Sequence, residues 1–377
     1  MTYRRMTLAG DWKVPEIMAT MGPTLEKSED LVRAIEAGAR WIRLPCGYRQ
    51  RPHLENARVA RAASAQSGIP IQLLLDLPSS RPRTGSMQEV RLNPGDRVLF
   101  WDSEIFEVAP TQNGLCAVPL PGLAHLHEKL VPKQRMWFCD GRLNFVVDEL
   151  CAQGVLAHLV QGTIPLKSSN SLFLPDSPSP FAAITPADRV LLEAFATAGL
   201  VPNWVALSLI ASPEDVSAAR REVRNYLGRK TKIMAKFETA AAMECAEDIL
   251  NAADGIMVAR GDLGLALGYA RLPEAQDRLV GAARMTGKPV VVATQVLETF
   301  AETGLPQRAE LSDLSLIARQ QADAIMLGKE TVFSPRPIEC IRFAREVLTY
   351  ETRRLESQSQ TGAAVEAPYA APSDELP

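Results

Sequence analysis

Charged and polar side chains stand at the ends of several short apolar runs in this sequence. Arginine and lysine bind phosphate and carboxylate groups, and carboxylates are the side chains through which proteins hold Mg²⁺. The set therefore predicts a site for a small, highly anionic substrate and a divalent cation. For any single residue, a purely structural salt bridge is the alternative. The side chains are those of Arg43, Asp76, Ser208, Lys236, Glu238, Arg260, Asp262, Thr294, Gln295 and Glu330, and Gly261 lies between Arg260 and Asp262.

The runs that carry these residues are typical of strands, and helix-length amphipathic segments separate most of them. Eight such strands predict a closed (β/α)8 TIM barrel of the α/β class, in which the carboxyl ends of the strands carry the catalytic groups. The predicted strands are 16–20, 41–45, 71–76, 204–209, 232–238, 255–260, 289–294 and 324–328. The predicted helices are 28–38, 54–67, 186–198, 213–227, 240–252, 272–287, 312–321 and 336–354.

The helical periodicity stops between residues 86 and 178, where short β-like runs separated by turn residues take over. We predict that 86–178 is an inserted small β-barrel domain, an all-β lid placed after the third strand. The barrel domain would then consist of 1–85 and 179–355. The polar, Ala- and Pro-rich segment 356–377 is predicted to be a disordered tail.

Composition excludes several classes of function. The net charge of −3 disfavours nucleic acid as a partner. No apolar run approaches the length of a spanning helix, and no apolar segment follows the charged N-terminus. We therefore expect a cytoplasmic protein with no membrane partner. The cysteines form no C-x-x-C pair and are expected to be free thiols, and the histidines lie away from the strand ends, which disfavours histidine-centred chemistry.

Several of these segments closely resemble the pyruvate kinase family. ARGDLG and ATQ occur in register with the lysine-x-glutamate strand, which is a specific combination. The resemblance implies a barrel with a β insertion and a Mg²⁺-dependent glycolytic transferase, which moves a phosphoryl group from phosphoenolpyruvate to ADP and gives pyruvate and ATP. The matching segments are 22–44, 76–85, 235–238, 257–264, 290–298, 306–314 and 325–331.

The resemblance also implies roles for individual residues. Glu238 and Asp262 would hold Mg²⁺ or Mn²⁺, and Lys236 would stabilise the transferring phosphoryl group or the enolate oxygen. It implies catalytic Lys236, Arg43 and Thr294, substrate-binding Arg43, Lys236, Gly261, Asp262, Thr294 and Ser208, and nucleotide-binding Arg83, Tyr48 and Lys167.

The potassium-binding part of the family pattern is altered. Arg-x-Asn-x-Ser-His in the family reads Arg43-Leu44-Pro45-Cys46-Gly47-Tyr48 here, so two oxygen ligands are missing. The run after Asp76 ends in Arg81 where the family has glutamate. Arginine stays protonated at any working pH, so we expect Arg81 to pair with Asp76 as a surrogate for the monovalent cation, and K⁺ not to be required. The alternative is that Arg81 is a solvated surface residue.

The nucleotide side is altered as well. Asn170 stands where the family has a lysine, Lys167 lies three residues earlier, and Tyr48 replaces a histidine. Three functions therefore stay open. The first is a potassium-independent pyruvate kinase, and the second is a metal-dependent enolate enzyme (aldolase, lyase or pyruvyl chemistry) that has lost ADP use. The third is a non-catalytic metabolite-binding protein. The expected partners are phosphoenolpyruvate or pyruvate and ADP or ATP, and the sequence is compatible with a homo-oligomer. We expect no counterpart of the family's C-terminal regulatory domain.

Overall fold

A computed structural model describes residues 12–47, 52–78, 81–106, 115–127, 130–175 and 183–360. Eight of its strands form a closed barrel in the order β1-β14-β13-β12-β11-β10-β3-β2. This confirms the predicted (β/α)8 architecture, and each observed strand lies within two residues of its predicted bounds. The strands are β1 (Glu16–Thr20), β2 (Ala39–Pro45), β3 (Gln72–Asp76), β10 (Trp204–Leu207), β11 (Lys232–Phe237), β12 (Gly255–Ala259), β13 (Val290–Ala293) and β14 (Ala324–Leu327).

Helices alternate with these strands as the periodicity predicts. The predicted helix 240–252 is broken in two at Cys245, where the backbone leaves the helical conformation. The helices are α1 (Ser28–Ala37), α2 (His53–Ser67), α3 (Ala124–His127), α4 (Pro186–Thr197), α5 (Pro213–Leu227), α6 (Ala240–Glu244), α7 (Ala246–Ala252), α8 (Arg260–Leu267), α9 (Leu272–Thr286), α10 (Glu298–Thr303), α11 (Arg308–Gln320), α12 (Lys329–Val332) and α13 (Pro337–Gln360).

Local sequence signals set where these helices begin. At α5, the Ser212 hydroxyl accepts a hydrogen bond from the Asp215 amide at 3.2 Å, and the Asp215 carboxylate accepts one from the Ser212 amide at 3.0 Å. Thr185 and Asp188 form the same reciprocal pair at α4. Each pair satisfies two amides that have no partner within the helix. Each pair therefore stabilises the N-terminus of its helix.

The inserted segment forms a six-stranded sheet separate from the barrel. Its strand order is β5-β4-β8-β7-β6-β9. Phe138 stacks on Phe100 with ring centroids 5.2 Å apart, and Phe145 meets both rings edge-on. These buried rings give the sheet a hydrophobic core of its own. The strands are β4 (Arg97–Trp101), β5 (Cys116–Pro119), β6 (Arg135–Phe138), β7 (Leu143–Cys151), β8 (Gly154–Gln161) and β9 (Leu172–Phe173).

The chain divides into two compact units. The first contains residues up to 42, 59–71 and those from 289 onward, and the second contains 43–58 and 72–288. In the first unit, β14 pairs in parallel with both β1 and β13. In the second, β10 pairs in parallel with β3 and β11, and β11 with β12. The predicted domain boundaries at 85–86 and 178–179 remain a prediction.

The predicted tail begins too early. Helix α13 continues through Gln360, so residues 356–360 are helical, and 361–377 lie outside the described residues. Leu355 is buried, and its packing supports the last turns of the helix. Within the described part of the chain, no helix combines the length and the apolar character needed to cross a membrane.

Candidate active site

Lys236 lies at the centre of a buried polar cluster in the second unit. Its ammonium group donates to the Ser208 hydroxyl at 2.8 Å and lies 3.2 Å from Asp76 Oδ1 and 3.1 Å from Glu238 Oε1. Side chains alternate along a strand, so Lys236 and Glu238 project to the same side. The ends of β3, β10 and β11 thereby meet at one ammonium group, as the sequence predicted.

The Asp76 carboxylate forms ion pairs with two cations. Its Oδ2 accepts a 2.6 Å hydrogen bond from Arg43 Nε, and its other oxygen faces Lys236. Burial raises the pKa of Asp76, but the charges of Lys236 and Arg43 outweigh burial and leave the pKa below its ordinary value. Burial likewise lowers the pKa of Lys236, but the Asp76 and Glu238 carboxylates outweigh it and hold the pKa above its ordinary value. Both groups are therefore charged at neutral pH.

Glu238 and Asp262 form the second part of the cluster. Glu238 accepts a hydrogen bond from the Leu209 amide at 2.7 Å. Asp262 lies in the first turn of α8, directly after β12, and its carboxyl group interacts with that of Glu238. Burial raises the pKa of Glu238 above its ordinary value, and the neighbouring Asp262 charge acts in the same direction. Two carboxylates so close together disfavour full ionisation of both.

Arg81 supplies the positive charge at this pair of carboxylates. Its guanidinium donates to Asp262 Oδ1 at 2.9 Å, and only 12% of its side chain is exposed. Burial acts to raise the pKa of Asp262, but the Arg81 charge outweighs burial and the net pKa is lowered. Arg81 is therefore part of the cluster, and the alternative of a solvated surface residue is wrong.

The predicted pair between Arg81 and Asp76 is also wrong. Asp76 already faces Arg43 and Lys236, whereas Asp262 forms its ion pair with Arg81. A third cation at Asp76 would gain little attraction and would meet two like charges. Arg81 consequently pairs one strand end farther along, at the predicted metal carboxylates.

The cluster fits a divalent cation that takes part of its coordination from a substrate. The described residues contain no group of three or more His, Cys, Asp or Glu side chains suited to a metal. They do contain the adjacent Glu238 and Asp262 carboxyl groups. Mg²⁺ is commonly held by one or two carboxylates together with substrate phosphate and water. This donor set fits Mg²⁺ better than a metal that needs an all-protein cage.

Asp140 belongs to the same neighbourhood, although its sequence position did not predict a role in the site. Asp140 acts electrostatically on Arg81 and on Tyr269, and it lies in the turn between β6 and β7. The turn is tight, because Cys139, Asp140 and Gly141 all have positive φ. A Cβ on Gly141 would lie 2.6 Å from Leu265 Cδ2 of α8, so the turn packs against the helix that carries Asp262. In the sequence, the dipeptide Asp140-Gly141 indicates a turn at this position but not its contact with α8.

The predicted nucleotide residues are engaged with the insertion. Arg83 donates to the Ser169 carbonyl at 3.1 Å, and the exposed Lys167 pairs with Glu89 at 3.2 Å. Asn170 accepts from the Lys167 amide at 2.7 Å and donates its own amide to Thr84 Oγ1 at 2.9 Å. The two connections of the insertion are thus hydrogen-bonded to each other. Tyr48 lies outside the described residues.

Thr294 belongs to the first unit, where it follows β13. Thr294 and Gln295 have φ values of 72° and 54°, a left-handed conformation that is unusual for a β-branched residue such as threonine. Glu330 supports this loop, because its buried carboxylate accepts from the Val296 and Leu297 amides at 3.2 and 3.1 Å. Glu330 is a structural residue of the strand-end set, and the strain at Thr294 is typical of a ligand-binding loop.

Comparison with known proteins identifies the family. The family model described as pyruvate kinase, barrel domain, matches residues 12–341. The chain is 33% identical over 329 residues to a pyruvate kinase of Methylorubrum extorquens, and this match covers 86% of the chain and 66% of that protein. It is 31% identical to one from Agrobacterium vitis and 30% identical to one from Thermococcus litoralis, each over 88% of the chain and 68% of the relative. The chain thus spans about two thirds of the length of these relatives, and it belongs to the pyruvate kinase barrel domain family.

Proposed function

We propose that this protein is a pyruvate kinase-type phosphotransferase that moves a phosphoryl group from phosphoenolpyruvate to ADP and does not depend on potassium. The observation that carries the proposal is the buried Lys236, which is held by Asp76, Ser208 and Glu238 where three strand ends meet. Phosphoryl transfer needs positioning and positive charge around the moving group more than covalent chemistry. A fixed ammonium beside Arg43 supplies both.

The residues of the chain have separable tasks in this proposal. Arg43 would contact the substrate phosphate, since its side chain is 19% exposed while it remains anchored on Asp76. Lys236 would stabilise the charge that develops on the phosphoryl group or the enolate oxygen. The amides of Gly261 and Asp262, at the N-terminus of α8, would seat the substrate carboxylate.

Glu238 and Asp262 are the proposed holders of Mg²⁺ or Mn²⁺. When bound, the cation would neutralise charge on the phosphate and the enolate. The Leu209 amide orients Glu238 through a 2.7 Å hydrogen bond, so this carboxylate is aimed before any ligand arrives. Such second partners of a metal-binding carboxylate tune its geometry.

By the family resemblance, the potassium-binding oxygens would come from the positions of Pro45, Gly47, Asp76 and Leu77, and potassium independence rests on what these positions offer here. Pro45 and Gly47 offer no side-chain oxygen, and the Asp76 carboxylate faces two cations. The Leu77 carbonyl accepts a 2.7 Å hydrogen bond from Ser208 Oγ. The oxygens that would bind a monovalent ion are therefore missing or already engaged.

A second candidate is a metal-dependent enzyme of pyruvate enolate that does not use ADP. It is favoured by the residues expected to bind nucleotide. Lys167 pairs with Glu89, and Asn170, which replaces a lysine of the family, hydrogen-bonds the two connections of the insertion to each other. Neither side chain offers an unengaged cation to the phosphates of ADP. On either candidate, the insertion 86–178 would act as a lid, since its turn at Gly141 packs against α8 beside Asp262.

Pyruvate release separates the two candidates. The measurement couples pyruvate to lactate dehydrogenase, with phosphoenolpyruvate and Mg²⁺ present and ADP either present or omitted. We expect NADH oxidation that requires all three components, together with ATP formed in equal amount. Pyruvate release without ADP would support enolate chemistry. No release under any condition, although phosphoenolpyruvate binds, would refute both enzymatic functions.

A further inference from the structure

Arg81 occupies the carboxylates at which the proposed function places a divalent cation. Its guanidinium is 2.9 Å from Asp262 Oδ1, and Glu238 is its next strongest electrostatic partner. The side chains are 12% and 25% exposed, so water screens the pair only partly. A charge-assisted bond of this length uses an oxygen that a metal would also need.

The carboxyl groups of the cluster already face cations without a metal. Arg43, Lys236 and Arg81 lie against Asp76, Glu238 and Asp262. A divalent ion that entered this arrangement would be repelled by these three cations, one of which is a guanidinium bound to its own ligand. A metal can therefore bind well only if Arg81 leaves Asp262.

Arg81 has a second set of partners within reach. Asp140, in the turn of the inserted sheet, attracts the Arg81 guanidinium. The guanidinium carbon of Arg81 lies 5.7 Å from the centre of the Phe173 ring of β9. An aromatic face and a carboxylate are favourable surroundings for arginine. The released side chain would thus remain paired, on the insertion instead of on α8.

We propose that Arg81 is a built-in competitor of the divalent cation, which holds Asp262 in the metal-free protein and moves toward Asp140 and Phe173 when the metal binds. The inference rests on the proposed metal site at Glu238 and Asp262. It gives the chain an internal control on metal affinity and couples metal binding to the inserted sheet, because the same guanidinium serves both.

The test is a titration with Mn²⁺ alone, with free Mn²⁺ measured by electron paramagnetic resonance. Arg81→Gln removes the competitor, and we expect Mn²⁺ to bind about tenfold or more tightly, since the binding-competent fraction rises toward one. Asp262→Asn should bind Mn²⁺ at least about tenfold more weakly, because a ligand charge is lost. Arg189→Gln is the matched control; it removes a bidentate ion pair with Glu222 on α4 and α5 and should leave Mn²⁺ affinity unchanged.

The outcomes distinguish this inference from the proposed function. Unchanged or weaker Mn²⁺ binding by Arg81→Gln, with Asp262→Asn impaired, would overturn the competition alone. Unchanged binding by Asp262→Asn would overturn the metal site and the competition with it.

A second measurement needs no folded Arg81→Gln protein. In the wild-type chain, the Nε–Hε nuclear magnetic resonance signal of Arg81, assigned by its absence in Arg81→Lys, should shift when Mg²⁺ saturates the protein. A signal that does not move during a saturating titration would show that Arg81 keeps its contact with Asp262, contrary to the inference.

Discussion

Two neighbouring carboxylate sites in the second unit differ in how completely their charges are locked. At Asp76, both oxygens face cations, and the nearby Leu77 carbonyl is taken by Ser208. At Asp262, one guanidinium covers one oxygen, and a quarter of the side chain remains exposed. The first site is closed by Arg43, Lys236 and Ser208 of the buried polar cluster, whereas the second is covered by a single side chain from a loop.

The difference separates a structural ion cluster from an exchangeable one. Removing a cation from Asp76 would leave a buried charge unpaired, because only 3% of its side chain is exposed. Asp262 can exchange its partner at lower cost, since solvent reaches it. A fold can thus build one internal cation permanently into its core and hold another where a ligand can replace it.

The most damaging change should be Asp76→Asn. It would leave the Arg43 and Lys236 charges without their shared carboxylate, and breaking a buried ion pair in this way costs about 3–5 kcal/mol. Urea unfolding followed by circular dichroism measures the loss. Asp30→Asn is the control, since Asp30 pairs with Arg33 at 3.4 Å on the surface, and such pairs contribute less than about 1 kcal/mol. Equal losses in the two variants would contradict the contrast between locked and exposed sites.

The effect of Asp76→Asn should depend on pH in a definite direction. The pKa of Asp76 is lowered because the Lys236 and Arg43 charges outweigh burial. Its stabilisation is therefore fully present above the ordinary aspartate pKa of about 3.9 and is lost as the pH falls through the lower folded value. The stability difference between wild type and variant should shrink below about pH 4.

Lys236→Met should reduce the rate of phosphoryl transfer by about 10²–10³, the usual loss for a preorganised electrostatic donor. The lysine joins the two carboxylate sites, because it lies within 3.2 Å of both Asp76 and Glu238. Lys232→Met is a matched control on the same strand. Lys232 lies at the other end of β11, with its ammonium 5.1 Å from the centre of the Trp204 ring. Steady-state kinetics in which both variants lose the same factor would refute the assigned role of Lys236.

The barrel could be predicted from sequence because its signals are local. Each strand is a short apolar run, and Ser212 with Asp215 marks the start of α5 within four residues. The break at Cys245 and the extension of α13 to Gln360 could not be read in this way. At Cys245 the thiol donates to the Ala211 carbonyl at 3.2 Å, and Leu355 of α13 is buried, so both features involve distant contacts that local helix propensity does not encode.

The sequence indicated most of the residues that lie in the candidate site, but it did not indicate every ion pair that they form. Strand ends meet at one rim of a barrel, so Asp76, Lys236 and Glu238 had to be neighbours. Arg81 lies on a loop beyond β3, and nothing in the local sequence says which carboxylate it reaches. Asp140 was missed for the same reason, since its place depends on how the inserted sheet packs against α8.

The smallest expected effect is that of potassium. If Asp76 is paired with Arg43 and Lys236, and the Leu77 carbonyl accepts from Ser208, a monovalent ion finds no unengaged side-chain oxygen at Pro45, Gly47, Asp76 or Leu77. Rates in potassium chloride and in tetramethylammonium chloride should then differ by less than about twofold at equal ionic strength, because both salts screen charges alike. Sodium chloride at the same strength serves as a further control for small cations. A rise of about tenfold or more in potassium alone would show that the ion enters beside Asp76, and that the locked site opens when substrate binds.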